Sequence, residues 1–233
     1  MSPKLTLIYF PIAGRAEPIR LTAAAGALKF TNKVVTFQEF SQIKEDKDIL
    51  PLGQLPVLQI EESDGSKMTI TQSEAILRYF GKKTGLYPTN EIEAMQVDSC
   101  LNVVEDMKAT LVMTIKGAVK SFVSESDWTK EEVLNIRKKW LENSMPKSLG
   151  YFEEVLQNSS SGWLVGENIT IADLLLYTDL QWLTMGVLDG IPKDFLNSYP
   201  KCLALMKKVE SIDGIKKWQE KYSKPYSTFE YEP

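Results

Sequence analysis

Residues 53–80 read GQLPVLQIEESDGSKMTITQSEAILRYF. Two short runs, PVLQIEE and KMTITQ, are rich in apolar and β-branched residues and are separated by Ser63-Asp64-Gly65, so the pair reads as a hairpin. The stretch that follows, SEAILRYFGKKTG, carries apolar residues at helical spacing. One residue is unexpected there: Pro56 opens the first strand although it has no backbone N–H to donate. A trans proline is tolerated at the first residue of a strand. An X-Pro bond is also the only peptide bond that turns cis at low cost, and a cis Leu55–Pro56 bond would kink the chain so that the N–H and C=O of Leu55 face outward.

Toward the amino terminus the pattern alternates. LTLIYF is a strand candidate, AEPIRLTAAAGA a helix with Pro18 in its first turn and Gly26 near its end, and NKVVTF a second strand. EFSQIKEDKDIL is charged and weakly helical. The order βαβαββα predicts a thioredoxin-like α/β domain over residues 1–83, a mixed sheet with helices on both faces. Gly85 and Pro88 give residues 84–91 linker chemistry. Beyond them strand signals stop, and residues 92–233 are expected to form an all-helical bundle. Val97, Leu101, Val104, Leu111, Ile115 and Phe122 fall near helical spacing, as do Trp140, Leu141, Met145, Leu149 and Phe152. Thr170 stands three residues before Asp173, with Ile169 and Leu174 as a hydrophobic staple, so a helix should start there. That helix is apolar almost all round and should lie at the bundle's centre. Capping explains Asp173 better than catalysis does.

Composition narrows the function. The chain has 233 residues, with 31 acidic against 27 basic and a formal charge of −4, so nothing draws it to a polyphosphate and nucleic acid is not expected as a partner. The most apolar segment, from Ile169 onward, is broken by Asp173, Asp179 and Asp189 and reads as a buried helix and not a membrane span. MSPKLTLIYFP is too short an apolar segment for a signal peptide, so a cytoplasmic protein is expected. With 0 histidines, His-based acid–base catalysis, His-paired nucleophiles and most transition-metal sites are excluded. The two cysteines, Cys100 and Cys202, match neither a redox pair nor a zinc pattern and read as plain buried thiols.

Taken together and in this order, YFPIAGRAEPIR, GQLPVL and TQSEAILRYF resemble the cytosolic glutathione transferases, tyrosine-type, and among those the sigma class most. The resemblance runs through the helical half as well. It implies glutathione as co-substrate, no metal, a hydrophobic electrophile as second substrate, and a homodimer. It also implies roles for particular residues. Tyr9 would donate a hydrogen bond to the sulfur of glutathione, with Arg15 adding its charge to the field there. The main chain of Leu55, before Pro56, would hold the cysteinyl part. Gln54, Gln72 and Ser73 would hold the γ-glutamyl carboxylate, where a helix start favours an anion. Lys44 falls where the family places a lysine for the glycyl carboxylate. Phe40 stands where the sigma class usually has tryptophan, and the indole N–H donor is lost. An acid from the partner subunit is expected at the γ-glutamyl amine; the matching position is Asn102, with Asp98 one turn earlier. Phe10, Ile12 and Ala13 on one side, and Met107 and Leu111 on the other, would line the second-substrate site.

Each of these residues also has a plainer reading: Tyr9 as a buried strand tyrosine, Ser73 as a simple N-cap, Lys44 as a solvated lysine, Arg15 as half of an ion pair, and Met107 and Leu111 as bundle core. Two functions stand against each other. One is an enzyme that activates the glutathione thiol for conjugation, or uses it to isomerise or reduce a substrate. The other is a non-catalytic relative, such as a crystallin or a binding scaffold. A disulfide oxidoreductase is excluded because no cysteine lies at the first strand–helix junction.

Overall fold

The computed structural model describes residues 2–115, 128–222 and 225–233. Phe122, expected on a helical face, lies outside the described residues. The chain divides into two compact units, Met1–Pro88 together with Glu210–Pro233, and Thr89–Val209.

In the first unit, β1 (Lys4–Tyr9) leads through a 3₁₀ turn (Gly14–Ala16) into α1 (Glu17–Ala25), then β2 (Phe30–Val34), α2 (Phe37–Ile43), β3 (Val57–Glu61), β4 (Lys67–Thr71) and α3 (Ser73–Thr84). This is the expected βαβαββα order. The Leu55–Pro56 bond is cis. The second strand ends earlier than the sequence reading placed it, because Thr36 caps α2: its hydroxyl accepts from the Glu39 N–H and the Glu39 side chain returns to the Thr36 N–H. β1 runs parallel to β2 and antiparallel to β3, which pairs antiparallel with β4.

The carboxyl terminus departs from expectation. Residues 92–233 were read as one helical bundle, yet α9 (Asp213–Lys221) and β5 (Phe229–Tyr231) belong to the first unit. β5 pairs antiparallel with β2, giving the strand order β4-β3-β1-β2-β5. The physical reason is the open edge of β2, whose N–H and C=O groups gain partners from the returning chain. Aromatic packing secures it: Trp218 stacks on Phe30 with ring centroids 6.2 Å apart, and Tyr222 stacks on Phe229 at 4.2 Å. Gly214 sits against the Ala24 carbonyl, so α9 and α1 meet where a larger residue would collide with main chain.

The second unit is helical: α4 (Glu91–Met113), α5 (Lys130–Lys139), α6 (Met145–Gln157), α7 (Ile171–Thr184) and α8 (Pro200–Glu210). A π-helical turn, Trp140–Ser144, joins α5 to α6, and the Trp140 indole N–H donates to the Met107 carbonyl at 2.5 Å. As its all-round apolar sequence requires, α7 is buried on nearly every side. Asp179, which interrupts that sequence, accepts from Lys108 at 3.2 Å, and Lys108 also meets Glu105. Asp173 closes a capping box: its Oδ2 accepts from the Thr170 N–H at 2.8 Å and hydroxyl at 3.0 Å, while its Oδ1 accepts from the Leu164 N–H at 2.8 Å. No described helix is long and apolar enough to cross a membrane.

Both cysteines are buried free thiols. Burial pushes the Cys100 thiol up to about 11, and burial together with the nearby Glu153 carboxylate raises that of Cys202 further. Thiolate is the reactive form. Labelling of the native protein with an aromatic disulfide at pH 8 is therefore expected to run at least about a hundredfold slower than labelling of the unfolded chain.

Candidate active site

The sheet registers gather the predicted residues at one end of the first unit. Ile8 pairs with Val57, and Val57 pairs with Thr71. The next residues outward on these three neighbouring strands are Tyr9, Pro56 and Gln72. Ser73 begins α3 at the same end. Three segments far apart in sequence are thus aligned by backbone pairing alone.

Tyr9 is buried, and its hydroxyl oxygen accepts the Arg15 N–H at 3.1 Å. A phenol whose oxygen accepts a hydrogen bond becomes a better donor through its own proton. The turn that makes this possible depends on Gly14, which has a φ of +43° and lies so close that a Cβ would stand 2.5 Å from the Tyr9 hydroxyl. Gly14→Ala is expected to push that hydroxyl aside. Titration of bound glutathione by thiolate absorbance should then show the thiol pKa raised by about one unit, a tenfold loss of thiolate in its acid range.

Beside Tyr9, Phe10 stacks on Phe37 with centroids 4.6 Å apart and meets Phe40 edge-on at 5.2 Å. Phe37 is 62% exposed and Ile12 is 44% exposed, so the turn carries an open aromatic and aliphatic surface. Phe40 and Leu55 pack on one core cluster of Ile8, Val35, Leu50 and Val57, which ties α2 and the segment before β3 to the strand that bears Tyr9. Lys44 ends α2 with its side chain exposed, 3.9 Å from Glu45. Its carbonyl lies against Gly53, where a Cβ would stand 2.9 Å away and where φ is +61°. Lys44 and the exposed Gln54 are therefore neighbours through main chain.

Gln72, not Ser73, occupies the N-cap position of α3, with φ of 75° and no side-chain cap bond. Only Ala27 shares a positive φ among the described non-glycine residues. A glutamine held in this region is strained, and strain of this kind collects at functional positions. The first-turn N–H groups of α3 provide a partial positive charge beside it.

The remaining predicted residues lie in the second unit. Asn102 is exposed on α4 and Asp98 is half-buried one turn earlier. Met107 and Leu111, expected to line the second-substrate site, are 1% and 0% exposed. They are interior packing residues, and that part of the expectation is corrected: a side chain without surface makes no contact with a ligand.

Four further residues support the Tyr9 turn and were not singled out from sequence. Arg20 is fully buried on α1 and donates from Nη1 to the carbonyls of Ile12 (2.9 Å) and Ala13 (3.3 Å), and from Nε to Asn32 Oδ1 at 2.9 Å. Glu17 pairs with it at 3.3 Å. The Tyr226 hydroxyl donates to the other Glu17 oxygen at 2.7 Å. Burial lowers the Arg20 pKa from its usual range, opposed by Glu17, while burial and Glu17 raise that of the Tyr226 phenol and keep it a donor. The signal available in sequence was Glu17 and Arg20 one turn apart on an otherwise apolar helix. Tyr226, some two hundred residues away, carried none. Among the described residues no group of three His, Cys, Asp or Glu side chains is placed to hold a metal ion.

Comparison with known proteins bears on the family and the fold. Residues 5–82 match the family model described as glutathione S-transferase, N-terminal domain, and residues 115–222 match that of the C-terminal domain. The chain is 32% identical to glutathione S-transferase 1 of Ascaris suum, covering 96% of this chain and 100% of that one. It is 30% identical to the hematopoietic prostaglandin D synthase of Rattus norvegicus, covering 93% and 95%. Among solved structures, the sigma class enzyme of Fasciola hepatica superposes with a TM-score of 0.78 at 25% identity, covering 96% of this chain and 99% of that one.

Proposed function

This chain belongs to the glutathione S-transferase family, and on that premise we propose that it binds glutathione across the end of its sheet and presents the thiolate to a hydrophobic electrophile. Glutathione is its co-substrate, as throughout the family. The observation that carries the reading is the register that places Tyr9, Pro56 and Gln72 side by side, with the Tyr9 oxygen already accepting from the Arg15 N–H.

In this reading Tyr9 donates to the sulfur and stabilises thiolate over thiol. The main chain of Leu55 pairs with the cysteinyl segment as an added strand would. Gln72, Ser73 and the start of α3 hold the γ-glutamyl carboxylate, with Gln54 beside them. Lys44 takes the glycyl carboxylate, and Arg15 adds positive charge to the field on the sulfur. Phe10, Ile12 and Ala13 offer the electrophile an apolar surface. In a homodimer, Asn102, or Asp98 one turn earlier, reaches the γ-glutamyl amine bound to the other protomer; an amide there accepts a hydrogen bond without supplying charge. The sigma class and a cytoplasmic setting complete the proposal. Similarity to a prostaglandin D synthase supports a second reading for the same site, glutathione-dependent isomerisation.

Turnover of glutathione with an aromatic halide, a hydroperoxide and an isomerisable enone tests these readings together. Conjugation of the halide is expected. Retention on immobilised glutathione without turnover of any of the three would replace the enzyme by a binding protein.

A further inference from the structure

The carboxyl-terminal segment reaches the Tyr9 turn at several points. The Tyr226 N–H donates to the Pro11 carbonyl at 3.0 Å. Its hydroxyl donates to Glu17, and its ring lies under the Arg20 guanidinium, 4.3 Å from the centroid. Arg20 in turn holds the carbonyls of Ile12 and Ala13. Three successive carbonyls of the turn are therefore gripped, two by the Arg20 side chain and one by the Tyr226 main-chain N–H. The segment is itself anchored on β2: Asn32 donates from Nδ2 to the Ser227 carbonyl at 3.1 Å, the Val34 N–H donates to the Thr228 hydroxyl at 2.9 Å, and β5 continues the pairing.

We propose that Tyr226 is a positioning residue, and that the segment from Tyr226 to Tyr231 is a strap that fixes the turn Pro11–Ala13 and, through the Arg15 N–H, the hydroxyl of Tyr9. The catalytic consequence rests on the function proposed above; the mechanical one does not. Glu17 accepts from Arg20 on one oxygen and from Tyr226 on the other. Loss of the phenol removes one buried hydrogen bond between the strap and α1, so the strap and the turn it holds open more readily. The contacts of the strap run to the turn and to α1, so its effect on chemistry is expected through the placement of Tyr9.

The test uses the full chain carrying Tyr226→Phe, with two readouts. The first, amide hydrogen exchange without glutathione, follows the Arg15 N–H. Its protection is expected to fall by about fivefold or more, as loss of roughly 1 kcal/mol of hydrogen bonding implies, while α7 amides keep theirs within about twofold. The second is the thiol pKa of bound glutathione, expected to rise by about half a unit, a change that a residue needed only for stability would not cause. Thr228→Val, which loosens the strap from β2, carries the same comparison should Tyr226→Phe fold poorly. Unchanged Arg15 protection overturns the strap. Lost protection with an unmoved thiol pKa overturns the positioning role and leaves a clamp on the fold. A wild-type thiol pKa that is not lowered on binding sinks the proposed function instead, and exchange at Arg15 then decides the strap alone.

Discussion

Replacing Tyr9 by Phe is expected to return the thiol of bound glutathione to about 8.5, from about 6.5 in the wild type, a change of roughly 2.7 kcal/mol. The effect on thiolate is strongly pH-dependent. At pH 6.5 the ionised fraction falls from about one half to about one per cent, whereas at pH 8.5 it falls only about twofold. Turnover falls less steeply than thiolate, because a thiolate of higher pKa is the better nucleophile; with a Brønsted coefficient near 0.4–0.5, two units return roughly tenfold in rate. Titration of the bound thiol by its absorbance is therefore the decisive measurement. The substitution removes one hydroxyl and keeps the buried ring, with its edge-on contact to Phe10 at 5.4 Å and Arg20 at 5.8 Å. A thiol pKa that stays low in the variant would remove Tyr9 as the activating group.

The parts of this site that were legible in sequence are those written in consecutive residues. Strand and turn chemistry marked β3 and β4, and the spacing of Ile76, Leu77 and Phe80 marked the buried face of α3. Tyr9 and Gln72 could be placed at strand ends because each precedes a change of period. What sequence reading missed depends on contacts that no local pattern encodes. β5 is three residues long, too short for alternation to be seen, and its pairing with β2 is set by an open edge formed two hundred residues earlier. Arg20 and Glu17 were not singled out, and both are buried, with Asn32 and Tyr226 hydrogen-bonded to them. Gly14 has no local signal in sequence, because its function is set by a ring five residues back. Met107 and Leu111 show the opposite error. The resemblance put them in the second-substrate lining while bundle core stood as their plainer reading, and their burial favours the core.

Asp173→Ala is expected to lower the unfolding free energy by about 3–5 kcal/mol, because a buried cap serving several donors is lost at once. The Leu164 and Thr170 N–H groups lose their acceptor, and neither is exposed to water. Denaturant titration of the two proteins measures the difference. Its pH dependence identifies the Asp173 carboxyl group as the cause. Burial pushes the Asp173 carboxyl up to about 6, with the N–H groups of Leu164 and Thr170 acting against that rise. A folded-state pKa above the unfolded value of about 3.9 means that the native chain holds a proton which the unfolded chain has released between these limits. The stabilisation linked to that proton is complete below about pH 4, declines as pH rises toward 6 and is gone above it. The alanine variant has no such group, so the gap between the two proteins should be wider at pH 4 than at pH 7. A gap that widens with rising pH would mean that the native state stabilises the carboxylate, with its N–H donors outweighing burial.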